Sequence, residues 1–216
     1  MVGAVSTARP RVGVLALQGA FREHRRCLEA CGAEVVEVRV PAELDGIAGL
    51  VIPGGESTTI GKLLLEWKIM EPLRERALAG MPIWGTCAGM ILLCKTIADS
   101  EQPRLGLLDA TVRRNAFGRQ RESFEADLSL APCGPAFAAS PFRAVFIRAP
   151  LIERVETGVS VLARAYKPGE EEGEGRIVMA RQGGLLATSF HPELTGDLRV
   201  HQYFLDMVAE RQGQPS

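Results

Sequence analysis

Residues 82–93 read Pro-Ile-Trp-Gly-Thr-Cys-Ala-Gly-Met-Ile-Leu-Leu. An apolar run enters the turn Gly85-Thr86-Cys87-Ala88-Gly89, and a second apolar run leaves it. The form G-x-C-x-G between a strand and a helix is that of a nucleophile elbow with cysteine in place of serine. The glycines let the chain reverse tightly and let strand and helix approach. The turn lifts the Cys87 side chain above the sheet edge, and the helix N-terminus behind it favours a thiolate. The Ala88 N–H then points to where an oxyanion would form. A small cysteine packed in a tight turn is the plain alternative. Ala77 to Cys94 carries no charge over eighteen residues, near the lower limit for a membrane span. Gly80, Pro82, Gly85 and Gly89 interrupt it, so strand, turn and helix describe it better than one long helix.

Outward from this turn, the first two-thirds of the chain alternate strand and helix patterns. Val12 to Leu17 predicts a strand that ends at Gln18-Gly19. Gly19 to Cys31 follows helical spacing, with Phe21, His24, Leu28 and Cys31 on one face. Gly32 stops that helix. Glu34 to Val40 and Gly49 to Ile52 predict further strands, the latter closed by Pro53-Gly54-Gly55. A helix capped by Ser57 or Thr58 follows through Trp67. Pro72 is expected to divide it from a second helix ending near Ala79, and Ala88 to Ile97 is expected to be helical. Such alternation implies a parallel sheet covered by helices on both faces, with ligands at the carboxyl ends of the strands. In the last third, Glu125–Leu130, Ala144–Arg148, Val159–Tyr166, Arg176–Ala180 and Leu185–Phe190 predict antiparallel strands. Lys167 to Gly175 reads as a solvated acidic loop, and Leu198 to Arg211 as a last helix.

The bulk numbers agree with one domain over residues 11–211 behind a frayed extension of residues 1–10. The chain has 216 residues, 46% hydrophobic and 24% charged, which excludes a disordered or fibrous protein. A chain of this length buries roughly 70% of its unfolded surface and needs no disulfide or metal staple. Its net charge of −1 gives no electrostatic case for nucleic acid or an anionic membrane. Met1 to Pro10 has neither the apolar core nor the basic start of a signal peptide. The five cysteines lack paired metal-ligand spacing, so reduced thiols in a cytoplasmic protein without a metal are expected.

A thiol nucleophile needs a base, and the chain has only His24, His191 and His201. His24 and His201 lie in helical patterns as packing or partner-contact residues. His191 ends an apolar run and is followed by Pro192-Glu193. Two residues apart on an extended segment, His191 and Glu193 project to the same side, and a carboxylate there fixes the imidazole tautomer. Gly54-Gly55 lets backbone N–H groups approach a ligand, although an ordinary turn before a helix also fits. Arg113-Arg114-Asn115 and Arg148 are candidates to hold a substrate carboxylate, although each also fits a surface role.

Taken together, Gly-Thr-Cys-Ala-Gly at 85–89 and His-Pro-Glu at 191–193 resemble the class I, triad-type glutamine amidotransferases. Further segments resemble, within them, the glutaminase subunits of pyridoxal 5′-phosphate synthases: Leu17-Gln18-Gly19-Ala20 with Glu23-His24, Pro53 to Thr59, Arg114 to Gln120, Ser123 to Glu125, Val145 to Pro150 and Ser189 to Thr195. They run in family order over about residues 11 to 208. The resemblance implies a flavodoxin-like three-layer α/β sandwich, mainly parallel, that hydrolyses L-glutamine to glutamate and ammonia. It assigns Cys87 as nucleophile, His191 as base and acid, and Glu193 as its orienter. It sets glutamine against Gly55, Glu56, Ser57, Arg114, Ile147 and Arg148, with Gly55 and Ala88 forming the oxyanion hole. It implies no cofactor, and a (β/α)8-barrel synthase partner in a twelve-plus-twelve assembly that uses the ammonia for vitamin B6 synthesis. Two other readings compete. A related cysteine-elbow family usually carries an acidic residue before the cysteine, where this chain has Thr86. A flavodoxin-like phosphate or flavin binder needs a phosphate-cradling loop after the first strand, where Ala16 to Ala20 has one glycine and no Ser/Thr cluster.

Overall fold

The computed structural model describes residues 9–98, 100–114, 123–138, 140–166 and 175–213. Most of the expected extension, the Lys167 to Gly175 loop up to residue 174, and Asn115 to Gln120 therefore fall outside the described residues.

The strands and helices follow in chain order as β1 (Arg11–Leu15), α1 (Phe21–Ala30), β2 (Glu34–Val38), β3 (Leu50–Ile52), α2 (Ser57–Glu66), α3 (Met70–Leu78), β4 (Ile83–Thr86), α4 (Ala88–Leu93), β5 (Cys94–Ile97) and β6 (Leu108–Arg113). They continue as β7 (Ser123–Leu128), α5 (Pro135–Ala138), β8 (Phe142–Ile147), β9 (Leu151–Val155), β10 (Ser160–Ala165), β11 (Arg176–Gln182), β12 (Leu185–Thr188) and α6 (Arg199–Gln212).

Ten strands form one sheet along the path β2-β1-β3-β4-β12-β11-β9-β6-β5, with β10 beside β11; β7 and β8 make a separate antiparallel pair. The block β2-β1-β3-β4-β12 is parallel throughout, and β12-β11-β9-β6 is antiparallel. This is the expected mainly parallel sandwich with antiparallel strands added later in the chain. The alternation of side chains along a strand divides the core in two. Leu50 and Ile52 of β3 face Ile60 and Leu64 of α2, whereas Val51 between them faces the layer of Leu28 from α1 and Phe204 from α6. Helices thus cover both faces.

Four local expectations are corrected. The helix from Ala88 stops at Leu93, because Cys94 turns extended and its strand pairs with β6; β-branched Thr96 and Ile97 suit that state. The break between α2 and α3 lies at Lys68, which has φ 56°, and not at Pro72. Pro72 sits in the first turn of α3, where its missing N–H has no intrahelical partner to lose. The cap of α2 is Glu56, one residue before Ser57, and its carboxylate accepts from the Thr59 N–H at 2.7 Å. Finally, β6 and β9 complete the sheet where no strand was expected.

Two glycines set how closely the elbow packs. A Cβ on Gly89 would stand 2.1 Å from the Ile52 carbonyl oxygen, and one on Gly85 2.4 Å from the Gly89 backbone. Gly89→Ala is expected to cost about 1–3 kcal/mol of unfolding free energy, the usual penalty of overpacking. Gly196→Ala, which has open space around it, should stay within about 0.5 kcal/mol. Urea denaturation of the two variants checks the contrast.

Candidate active site

Strands β1, β3, β4 and β12 lie side by side and parallel, so their carboxyl-end loops converge. These loops carry Gln18-Gly19, Gly54-Gly55, Cys87 and His191 respectively. Around them lies a cavity of about 450 Å³, within the size range of small-molecule sites. It is lined by all ten residues to which the family resemblance assigns a role, from Cys87, His191 and Glu193 to Arg114 and Arg148.

Cys87 takes φ 49° and ψ −102°, a conformation in which a non-glycine residue is strained. Its N–H donates to the Thr188 carbonyl at 2.8 Å and its carbonyl accepts from Ile91 at 3.2 Å. Strand and helix therefore hold the elbow from both sides. The Ile147 carbonyl oxygen lies 4.0 Å from Sγ.

The His191 ring stands beside Cys87, and its Nδ1 lies 2.7 Å from Glu193 Oε1. Burial pushes the imidazole toward the neutral form, but Cys87 and Glu193 outweigh it and raise His191 to about 10. The ring is thus charged at neutral pH and faces Cys87. Burial pushes the Glu193 carboxyl up, while His24 and His191 prevail and hold it below the ordinary range.

Among the described residues, Glu193 Oε2 has no partner at hydrogen-bonding angles. It nevertheless lies 3.3 Å from His24 Nε2, both side chains being fully buried. His24 Nε2 also lies 3.2 Å from Thr86 Oγ1, and His24 Nδ1 lies 3.0 Å from His201 Nε2. His24 and His201 were expected to pack or to meet a partner; they are fully buried and stand behind Glu193. The one sequence signal was the place of His24 on the apolar face of α1.

On the other side of Cys87, the Ala20 N–H donates to the Gly54 carbonyl at 3.0 Å. Because the peptide is trans, the Gly55 N–H points to the opposite side. The Gln18 side-chain oxygen accepts from the Glu56 N–H at 2.8 Å, a contact that sequence reasoning missed. A Cβ on Gly54 would stand 2.4 Å from His191 Cε1, so glycine is required for the loop to lie against the imidazole.

The cavity also holds charges of both signs. Arg114 donates to Gln102 Oε1 at 3.0 Å and to Glu56 Oε1 at 3.3 Å. Burial pushes Glu56 up, but hydrogen bonds from Thr58 and Thr59 lower it to about 2. Ser57 is buried and donates to Gln102 Oε1 at 3.3 Å. Arg148 stands at the rim with φ 43°. Arg113, by contrast, pairs with Glu153 and does not line the cavity. Among the described residues, no group of three His, Cys, Asp or Glu side chains is placed to hold a metal, and no helix is long and apolar enough to cross a membrane.

A model of the SNO glutamine amidotransferase family matches residues 14–210. The chain belongs to that family. Among its curated relatives is a pyridoxal 5′-phosphate synthase subunit PdxT from Pelotomaculum thermopropionicum, 62% identical over 94% of this chain and 97% of the relative. The subunit of the same name from Moorella thermoacetica is 58% identical over 92% of this chain and 99% of the relative. A crystal structure of a glutamine amidotransferase superposes with a TM-score of 0.82 at 51% identity, covering 92% of this chain and 98% of that one.

The thiols provide a direct check. Burial raises Cys27 and Cys31, and pushes Cys94 to about 12 and Cys133 to about 11. Iodoacetamide at pH 7 should therefore label Cys87 ahead of the other four, as peptide mass spectrometry would show. His191→Ala should slow that labelling, because Cys87 loses the charged imidazole beside it.

Proposed function

We propose that the chain hydrolyses L-glutamine at Cys87 and passes the ammonia to a synthase subunit that makes pyridoxal 5′-phosphate. The supporting observation is the buried line Cys87, His191, Glu193 at the mouth of four parallel strands, in a chain of the glutamine amidotransferase family. One glutamine amidotransferase domain spans residues 11–211 in this reading.

The side chain of glutamine enters toward Cys87, and its α-carboxylate and α-ammonium groups stay near Arg114 and Glu56. Arg114 offers the planar fork that suits a carboxylate. Glu56, held ionised by the α2 N-terminus and its two threonines, offers the opposite charge. Ser57, Ile147 and Arg148 complete the walls.

The Cys87 thiolate attacks the carboxamide carbon. The carbonyl oxygen becomes an oxyanion, which the N–H groups of Ala88 and Gly55 receive. His191, protonated at the outset, gives its proton to the departing nitrogen, and the C–N bond breaks to release ammonia and leave a γ-glutamyl thioester. Neutral His191 then takes a proton from water, whose oxygen attacks the thioester carbon. The C–S bond breaks and glutamate departs, restoring the thiolate–imidazolium pair. Glu193 holds Nδ1–H throughout, so Nε2 remains the nitrogen that exchanges protons.

The synthase partner is a (β/α)8 barrel, twelve of which assemble with twelve copies of this chain in the cytoplasm. The relatives named as synthase subunits, matched over nearly their whole length, support such a partner; its fold and number come from the family resemblance.

Cys87→Ala should abolish glutamine hydrolysis while ammonium salts still sustain coenzyme synthesis by the complex. Glutamine hydrolysis persisting in that variant would sink the nucleophile assignment. His191→Asn should be nearly as severe, and Glu193→Gln milder, since only orientation and charge are disturbed. Arg114→Leu should raise KM for glutamine about 10-fold or more with a smaller change in kcat, the size of one hydrogen bond to a charged group. Steady-state kinetics read all four.

A further inference from the structure

All three histidines of the chain lie in one buried line, and the proposed triad uses only His191. His201 Nε2 meets His24 Nδ1 at 3.0 Å, and His24 Nε2 faces Thr86 Oγ1 at 3.2 Å and Glu193 Oε2 at 3.3 Å. Trp84 closes the line from the side, with ring centroids 5.3 Å from His24 and 5.0 Å from His201. We propose that His24 is a positioning residue of the glutaminase reaction: it gives its Nε2–H to the second carboxylate oxygen of Glu193, and His201 fixes the tautomer that makes this possible. The inference rests on the Cys87-His191-Glu193 reading above.

The tautomer follows from what each orphaned atom tolerates. Burial lowers His24, and lowers His201 to about 3, so both rings are neutral and each carries one N–H. A lone pair of His24 aimed at a buried carboxylate oxygen would repel it and leave that oxygen without any donor. The proton of His24 therefore belongs on Nε2, between Thr86 and Glu193. His24 Nδ1 must then accept, and the donor in reach is the Nε2–H of His201. Among the described residues His201 Nδ1 has no partner. In this arrangement it carries no hydrogen, and an orphaned acceptor is easier to tolerate than an orphaned N–H. The reverse arrangement leaves both a donor of His201 and an oxygen of Glu193 unsatisfied.

The consequence is rotational. Oε1 alone would fix His191 Nδ1–H through a carboxylate still free to turn about its own axis. A donor on Oε2 stops that turning, so the imidazole is held from α1 through the carboxylate. Glu193 is faced by His191 from its own turn, by His24 and Cys27 from α1, and by His201 from α6; Cys87 lies beyond His191. Of these groups, His191 is the cation that favours its charged form, and the neutral His24 favours it through its N–H.

The test is kinetic, on the complex with its synthase subunit. Cys87→Ala must first lose glutamine hydrolysis; if it does not, the triad reading falls and this inference with it. Given that loss, His24→Leu should lower kcat by about 10- to 100-fold with KM little changed, as expected for one hydrogen bond to a charged group. The carboxylate of Glu193 then protonates more easily, so the acid limb of the kcat/KM profile should move to higher pH. Val208→Ala, a truncation in the α6 core, should lower the melting temperature without moving that limb. Glutamine places its amide nitrogen much as histidine places Nε2, whereas asparagine matches Nδ1. His24→Gln should therefore recover most of kcat and His24→Asn should not, a comparison that decides the matter even if the leucine variant fails to fold. Wild-type kcat and an unmoved acid limb in His24→Leu, or equal activity in the Gln and Asn variants, would overturn the proposal.

Discussion

The close backbone crossing at the elbow is the constraint on which the site depends. Gly89 lies so near the Ile52 carbonyl, and Gly85 so near Gly89, that neither tolerates a Cβ. This pulls α4 down onto β3 and β4, and leaves Cys87 as the one residue that can reverse the chain, at a positive φ. Such strain persists only where the surroundings over-determine it. Here they do: Thr188 of the neighbouring strand holds the Cys87 N–H, and Ile91 holds its carbonyl. Loosening either glycine contact would move the thiol relative to both His191 and the Gly54-Gly55 loop.

Around that fixed point, electrostatics is arranged by burial on one side and solvent on the other. Glu193 is buried and charged, which is costly unless its charge is matched and hydrogen-bonded. The match is His191, whose ring it keeps protonated at neutral pH. Toward the open side of the cavity, Glu56 and Arg114 form a half-exposed pair at 3.3 Å. That pair is worth little to stability.

The layout of the sheet was legible wherever a strand announced itself by a short apolar run closed by a glycine or proline, as at Val12–Leu17, Gly49–Ile52 and Pro82–Trp84. Where that contrast was lacking, the sequence was silent or misleading. Cys94–Ile97 continues an apolar helix without punctuation, and only its pairing with β6 makes it a strand. In β6 the alternation Leu108, Ala110, Val112 is present but small, with Asp109 and Thr111 between. The cap of α2 was misjudged by one residue because serine and threonine are the usual caps; a glutamate reaches Thr59 here instead. The elbow and the His-Pro-Glu segment were legible because their residues are adjacent. The line from Glu193 to His24 and His201 was not, since His24 and His201 are 177 residues apart and both sit in helices rich in charge.

That long-range line also explains why α1 matters more than its sequence suggests. Its approach residue Ala20 holds the Gly54 carbonyl, and so sets which way the Gly55 N–H points. One turn later His24 stands against Glu193. A single short helix therefore touches the site at both the Gly54-Gly55 loop and Glu193. Its outer face carries Arg22, Arg25 and Arg26, all exposed, while its inner face carries His24 and Leu28, both fully buried. A rigid shift of α1 along its axis cannot change one half of the site without the other, because both contacts are made within about one turn of chain, from Ala20 to His24. The two halves are thus set together by the packing of α1 against β1, β2 and α6.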